Sequence, residues 1–253
     1  MFYFDDFFGK KVLKSTLLED CEHFFTTRDF VLHAGNREDL EKTASDNVDF
    51  LMKKMNISEK QLYRCKQMHT SNIAVAEEGN NFFENTDGIF LTQKNTAAFL
   101  NFADCIPIIL YDFVENTGAV IHAGWRGTAG RIQQKAVEIM RKHGSKPENI
   151  NVAIGAGIGM CCFDVKEDVF NQIMQGINLD YAKEVSAYKA SDEQGKYYVN
   201  LKLVNKILLN DVSVGKIDIS DYCTSCSADV FFSYRKENGY TARHSAVLKI
   251  KGQ

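Results

Sequence analysis

The organisation of the chain is clearest in residues 118–128, which read GAVIHAGWRGT. An apolar, β-branched run ends in His122, and the following turn of small residues carries the single tryptophan, Trp125, and the basic Arg126. Apolar residues then recur at helical spacing from Ile132 to Met140. A strand, a tight loop and a helix therefore follow one another. Each of these side chains alone suits a packed turn, but the set indicates a loop that binds a ligand.

Length and composition are those of a single globular domain spanning residues 1–253. The chain is 45% hydrophobic and 25% charged with a net charge of −3, so we expect no nucleic-acid partner and no attraction to membranes. No apolar run approaches the ~20 residues of a transmembrane helix, and no signal peptide is recognisable. The seven cysteines are therefore expected to be reduced thiols or metal ligands in a cytoplasmic protein, for which we infer no obligate protein partner.

Hydrophobic periodicity predicts an α+β fold of mixed β-sheets with outer helices, because strands outnumber helices and arrive mostly in runs. An amphipathic helix is expected after Asn36, marked by Leu40 to Met55, and residues 1–20 read as irregular or β. Two further helices are expected at about residues 166–176 and 201–212. The predicted strands lie at residues 23–28, 73–76, 88–91, 97–100, 106–110, 118–121, 151–154, 229–235 and 245–250.

Three motifs lie at the ends of predicted strands, where side chains converge easily in space. They supply His69, Cys105 and His122, and two imidazoles with one thiolate and an open fourth position would form a catalytic zinc site. The same ligands also suit copper. A metal-free alternative uses Cys105 as a nucleophile activated by His122 or His69, with Asp104 or Asp87 orienting the base. The residue types do not separate these alternatives.

Other motifs are weaker. Residues 155–159, GAGIG, lack the Gly-x-Gly-x-x-Gly spacing, so a dinucleotide site is rejected in favour of a tight turn. Cys223 and Cys226, together with the adjacent Cys161 and Cys162, would in principle suit a structural site with four thiolates, but the spacing is too weak to predict one. Arg126 beside a helix N-terminus is the predicted anion anchor. Weaker candidates for that role are Arg28, Arg235 and Arg243.

Together these motifs resemble the YfiH-type laccase-domain family, whose members are described as multicopper polyphenol oxidases or as purine nucleoside phosphorylases. The match covers roughly residues 24–250, although Ala156 and Met160 stand where the family usually has proline and the segment after Arg28 is short. It rests chiefly on residues 67–69 (QMH), 86–88 (TDG), 103–107 (ADCIP), 122–127 (HAGWRG) and 231–235 (FFSYR).

The resemblance implies a four-layer α/β/β/α sandwich with one zinc ion held by His69, Cys105 and His122. It implies phosphorolysis of adenosine, inosine and S-methyl-5'-thioadenosine, so that purine nucleoside and phosphate are the expected partners, and an adenosine deaminase side activity. Asp104 and Cys105 are then the expected catalytic residues.

The residues expected to contact substrate are Gln67, Asp87 and Arg126. The alternatives are a cysteine hydrolase that uses Cys105 and His122, and a copper-dependent polyphenol oxidase. Six histidines without a His-x-His pair cannot build a multicopper cluster, although one copper ion remains compatible with these ligands.

Overall fold

A computed structural model describes residues 1–252 of the chain. The α-helices are α1 (Glu41–Met55), α2 (Trp125–Ala129), α3 (Ile132–Lys142), α4 (Glu167–Met174), α5 (Leu179–Glu184) and α6 (Leu201–Asn210). The first eight strands are β1 (Phe2–Phe7), β2 (Lys10–Ser15), β3 (Glu22–Thr26), β4 (Leu62–Cys65), β5 (Ile73–Val75), β6 (Phe82–Phe83), β7 (Gly88–Leu91) and β8 (Ala97–Phe102). The remaining strands are β9 (Ile106–Asp112), β10 (Thr117–Ala123), β11 (Ile150–Ile154), β12 (Asp164–Lys166), β13 (Tyr188–Ala190), β14 (Lys196–Val199), β15 (Ile217–Ile219) and β16 (His244–Lys249).

Two large mixed sheets form the centre of the fold. The seven-stranded sheet has the order β1-β2-β3-β16-β8-β4-β6, and the six-stranded sheet has the order β15-β11-β9-β10-β7-β5. Most pairs are antiparallel, such as β9 with β10, but β4 pairs with β8 and β5 with β7 in parallel. A small sheet, β12-β14-β13, lies apart from them. The prediction of mixed sheets is confirmed.

Side chains along the central strands alternate between two cores, one on each face of the sheet. In β9, Ile108 and Leu110 belong to a core shared with the helices, whereas Ile109 packs in the core between the two sheets. Successive residues of a strand point to opposite faces of the sheet. Because β9 is buried on both faces, all of its positions at residues 106–110 are apolar. Leu100 of β8 and Leu248 of β16 meet Ile109 from the other sheet.

Helices cover both outer faces. Leu51 and Met55 of α1 pack on Phe99 and Val247 of the seven-stranded sheet. Helices α3, α4 and α6 share a core with the outer face of the six-stranded sheet. The order helix, sheet, sheet, helix is the four-layer sandwich that was expected. Among the described residues, no helix is both long and apolar enough to cross a bilayer.

One predicted strand is wrong, because residues 229–235 form turns. The apolar run there fills the core: Phe231 is fully buried between the sheets, and Phe232 packs in a smaller cluster. Their backbone does not join a sheet, since the Phe231 N–H donates to the Ser227 carbonyl and the Arg28 side chain donates to the Phe231 carbonyl. Helix α5 and the short strands β4, β6 and β12–β15 were not predicted, because two to six residues carry too little periodicity.

A three-residue crossover joins the two sheets at the site. Strand β8 ends at Phe102 in one sheet and β9 begins at Ile106 in the other, so residues 103–105 pass between the layers. Strand β10 ends at Ala123 and pairs with the first residues of β9. Cys105 and His122 are therefore neighbours at the same end of the sandwich.

The buried His23 predicts acid sensitivity of the fold. It is 1% exposed, its Nε2 accepts the Ser15 N–H, and burial together with Lys14 lowers its pKa from 6.5 to about 4. As the pH falls below 6.5 the unfolded chain binds the proton first, so this contribution to stability is full above pH 6.5 and is lost toward pH 4.

We expect His23→Gln, which keeps an acceptor but cannot titrate, to reduce the acid-induced loss of unfolding free energy by about 3 kcal/mol. Denaturant unfolding at a series of pH values measures this difference. The exposed His143→Gln is the matched control and should follow the wild-type curve. Parallel curves for His23→Gln and wild type would contradict the assignment.

Candidate metal centre

His69, Cys105 and His122 converge as the sequence predicted. One ligand atom from each lies within 4.8 Å of the other two. The imidazole centroids of His69 and His122 are 4.9 Å apart in an edge-on arrangement. His122 is buried, Cys105 is half-buried and His69 is exposed, so the cluster opens toward solvent on one side.

Different elements deliver the three side chains to one point. His122 is the second-last residue of β10 and packs beside Phe102 at the end of the other sheet. Cys105 ends the crossover between the sheets, directly after Asp104, whose φ of +85° lies in the left-handed region. His69 lies in the loop between β4 and β5 and also has a positive φ, +59°. Such backbone conformations cost free energy and persist where surrounding contacts enforce them.

Asp87 enforces the His69 conformation. Its carboxylate accepts the backbone N–H groups of Met68, His69 and Thr70 at 3.1, 3.0 and 2.7 Å, and it also accepts the Thr70 hydroxyl. Its Oδ1 lies 2.8 Å from Nδ1 of His122, which leaves Nε2 as the ligand atom. The Asp87 side chain is fully buried and contacts both histidine positions, which suits the orienting role that the sequence offered for it. Its assignment to substrate contact stays a prediction.

Charges stabilise the thiolate form of Cys105. Burial acts to raise the pKa of this thiol, but the charge of His122 and hydrogen bonds from both histidines outweigh it and lower the pKa below its usual range. Burial likewise acts against the cationic form of His122, yet Cys105 and Asp87 raise its pKa. The pKa of Asp87 falls to about 2, because the hydrogen bonds of His122 and Thr70 outweigh the effect of burial.

Gly124 makes room for the cluster. A Cβ at this position would lie 2.9 Å from Sγ of Cys105 and 3.4 Å from Cδ2 of His69. Any side chain would therefore displace the Cys105 thiol and would pack directly against the His69 ring. This requirement explains the glycine in HAGWRG.

The donor set fits a metal ion. Two imidazoles and a thiolate are ligands that Zn²⁺ accepts in tetrahedral sites, and three protein ligands leave one position for water or substrate. The buried carboxylate behind His122 is the partner that commonly orients a metal-binding imidazole. Copper accepts the same donors, so the ligand set does not by itself separate the two metals.

A cavity of about 600 Å³ opens from the three ligands. Trp125, Phe163, Leu201 and Tyr234 supply apolar and aromatic walls. This volume lies in the range of small-molecule sites, which combine such walls with a few polar groups.

Two predicted residues line this cavity but use their polar groups on the protein. Gln67 bridges the backbone of Asn101, because its Nε2 donates to the carbonyl and its Oε1 accepts the N–H, both at 2.8 Å. Asp104 accepts the Thr224 hydroxyl at 2.6 Å and the Arg235 N–H at 2.7 Å. Both side chains fix the loops around the cavity, and their assignment to substrate binding and catalysis stays a prediction.

Arg126 is exposed and does not line the cavity, and its guanidinium lies over the ring of Trp125. The five-residue helix α2 beside it is also too short to provide a strong N-terminal dipole. Arg235 and Arg243 line the cavity instead. Arg235 pairs with Asp164 at 2.7 Å, whereas Arg243 has no carboxylate within 4 Å among residues 1–252.

From the sequence alone Arg243 is a weaker candidate than Arg126, because only the fold brings its side chain to the cavity. His33, Lys66 and Asn101 also line the cavity, and no motif had indicated them.

A second group of potential metal ligands also forms. It consists of Cys161, Cys162, Cys223 and Cys226, whose sulfur atoms lie within 4.8 Å of one another although the sequence pattern was too weak to predict the site.

Comparisons with known proteins agree with this architecture. The chain is 33% identical over 181 residues to purine nucleoside phosphorylase YlmD of Bacillus subtilis, a match that covers 70% of this chain and 63% of that protein. It is 31% identical over 241 residues to a purine nucleoside phosphorylase of Deinococcus radiodurans, with 90% and 88% covered. A relative named adenosine deaminase RL5, from an unknown prokaryotic organism, is 30% identical over 68% of each chain.

Solved structures show the same fold. The YfiH protein of Bacillus licheniformis superposes with a TM-score of 0.85 over 95% of this chain and 96% of that one, at 26% identity. Residues 24–251 match the family described as multi-copper polyphenol oxidoreductase laccase. Because this match spans nearly the whole described chain and the fold agrees with it, the chain belongs to the multi-copper polyphenol oxidoreductase laccase family.

Proposed function

We propose that this protein is a zinc-dependent purine nucleoside phosphorylase that acts on adenosine, inosine and S-methyl-5'-thioadenosine, with adenosine deaminase as a side activity. The observation that carries the proposal is the convergence of His69, Cys105 and His122 at one wall of a nucleoside-sized cavity. The names of the relatives support the same reaction. Seven unbridged cysteines also fit our proposal of a cytoplasmic location.

The cavity offers separate places for base and anion. The aromatic rings of Trp125 and Tyr234 suit stacking on a flat purine, and the Arg243 guanidinium suits a bidentate contact with phosphate. In phosphorolysis a phosphate oxygen forms a bond to C1' of the ribose while the C1'–N bond breaks, and the base leaves with the electron pair of that C1'–N bond. Arg243 would hold the phosphate near the metal ligands, because it lines the same cavity and its Nη1 is held by the carbonyls of Thr241 and Ala242.

Zinc, held by His69, Cys105 and His122, would supply Lewis-acid chemistry that polarises an oxygen and activates water. The chain's own residues prepare this centre: Asp87 fixes His122 and the His69 loop, and Gly124 keeps space for the ligands. Gln67 and Asp104 hold the surrounding loops through Asn101 and Arg235.

The distribution of histidines argues against the polyphenol oxidase alternative. A multicopper cluster needs many imidazoles, and the chain has six histidines. His23 lies in β3 with its Nε2 occupied by Ser15, and His143 is exposed at the end of α3. With these two excluded, the remaining four imidazoles are too few for several copper ions to share.

Incubation of the zinc-replete protein with adenosine and phosphate is expected to release adenine and ribose 1-phosphate. Cys105→Ala should lower kcat/KM at least about 1000-fold, because it removes a ligand and the charge beside His122. Cys21→Ala, which removes a cysteine from the core between the sheets, is the matched control. Chromatography of the products measures the reaction, and absence of any free base with zinc-replete protein would overturn the proposal.

The anion site is tested by comparing two arginines. Arg243→Gln should raise the KM for phosphate about 10- to 100-fold, the cost of losing charge-assisted hydrogen bonds. Arg126→Gln should change it less than about threefold, since that exposed guanidinium lies over Trp125 and does not line the cavity. The reverse order would return the anion site to Arg126, as the sequence analysis predicted. Thermal melts of both variants control for unfolding.

A cysteine hydrolase is the second candidate. It is favoured by one arrangement: Cys105, His122 and Asp87 follow one another as nucleophile, base and orienting carboxylate, with a lowered thiol pKa. Removal of metal by a chelator separates the two candidates. A phosphorylase that depends on zinc should lose at least about 90% of its activity and regain it with added Zn²⁺, whereas a cysteine hydrolase should keep its activity.

A further inference from the structure

Four cysteines outside the cavity form a second cluster. Cys161 and Cys162 lie in the turn that follows the GAGIG loop. Cys223 forms a β-bridge with Gly157 of that loop and directly precedes the turn at residues 224–230, which contains Cys226. The four sulfur atoms all lie within 4.8 Å of one another although they are separated by some sixty residues of chain. None of the four is used by the proposed reaction.

The distances within this cluster match one ion and not a disulfide. Sγ of Cys226 lies 3.5 Å from Sγ of Cys161 and 3.5 Å from Sγ of Cys162. A disulfide requires about 2.0 Å. Four thiolates placed tetrahedrally at about 2.3 Å from a zinc ion are about 3.8 Å apart, which falls inside the observed range. An iron–sulfur cluster would hold the four sulfurs farther apart, since its iron atoms occupy the space between them.

Gly159 lies against the cluster, where there is no room for a side chain. A Cβ there would lie 3.0 Å from Cβ of Cys223 and 3.2 Å from Sγ of Cys161. The Gly159 N–H donates to Sγ of Cys223 at 3.1 Å. Backbone donors of this kind stabilise thiolate sulfur, because they bring a partial positive charge to it.

Cations lie close to the cluster. The buried Lys202 donates to the carbonyls of Ser220 and Tyr222, directly before Cys223. The guanidinium of Arg235 donates to the carbonyl of Cys162 at 2.9 Å. Four thiolates around a divalent cation leave two negative charges. Lys202 offsets part of this charge, whereas the charge of Arg235 is shared with Asp164.

From this geometry we propose that Cys161, Cys162, Cys223 and Cys226 bind a structural zinc ion, distinct from the metal centre of His69, Cys105 and His122. Tetrahedral sites with four sulfur ligands select zinc, and closed sites of this kind stabilise folds. The ion would tie the GAGIG loop to residues 223–235. That segment holds Asp104 through Thr224 and brings Tyr234 and Arg235 to the cavity.

Metal content of the purified full-length protein tests the proposal. Native mass spectrometry with elemental analysis should find one more zinc ion in wild type than in Cys226→Ser, and one more than in Cys105→Ala. Cys65→Ser, which removes a cysteine that belongs to neither group, should retain both ions. Because Cys105→Ala removes only the other metal, failure of the proposed catalytic function would leave this result unchanged.

A spectroscopic measurement needs no variant of the cluster. Co²⁺ bound to the Cys105→Ala protein should show the intense visible bands and the sulfur-to-metal charge transfer of a tetrahedral tetrathiolate. Gly159→Ala, which keeps all four thiols, should weaken zinc affinity at this site about tenfold or more.

Two results would overturn the proposal. The first is wild-type zinc content in folded Cys226→Ser protein. The second is a Cys105→Ala protein that gives no cobalt–thiolate spectrum under reducing conditions. A disulfide among these cysteines in protein prepared with reductant would lead to that second result, and peptide mapping would identify it.

Discussion

The site depends on one buried carboxylate. Asp87 is fully enclosed, and a buried charge is costly unless hydrogen bonds and an opposite charge compensate it. Three consecutive backbone N–H groups at residues 68–70, a hydroxyl and the His122 imidazole provide that compensation. Because the same carboxylate holds the His69 loop and the His122 ring, two ligands from distant parts of the chain share one anchor. The hydrogen bonds that compensate the buried charge of Asp87 therefore also assemble the candidate metal centre.

The sandwich supplies the third ligand through its topology. Residues 103–105 pass from one sheet to the other, and a crossover this short forces the ends of β8, β9 and β10 together. Cys105 then lies beside His122, and Asp104 adopts a left-handed conformation that hydrogen bonds from Thr224 and Arg235 maintain. The core between the sheets, with Leu100, Ile109 and Leu248, makes this arrangement rigid. Rigid elements hold ligands in place more precisely than loops would, and here loops are used only where the sheets fix both of their ends.

Residues 223–235 link the cluster of four cysteines to the cavity beside Cys105. This segment carries two cysteines of the four-sulfur cluster, the Thr224 hydroxyl that holds Asp104, and the two side chains Tyr234 and Arg235 at the cavity. It lacks regular secondary structure, so its conformation rests on contacts with other parts of the chain, including the buried Phe231. A bound ion at its cysteines would stabilise the cavity wall without entering the reaction.

The sequence by itself determined most of the longer strands, the long helices and the three candidate ligands at strand ends, because these follow from local periodicity and from motifs only a few residues long. It also correctly indicated mixed sheets. Tertiary structure alone decided that Arg243 and not Arg126 lines the cavity, and that Asp87 and not Asp104 is the carboxylate beside His122. It turned the apolar residues 229–235 into core-filling turns and gathered four cysteines whose spacing had carried little information. The physical reason is the same in each case. The sequence shows that an apolar residue must be buried and that a charged residue needs a partner, but which distant residues meet that need depends on how the layers pack.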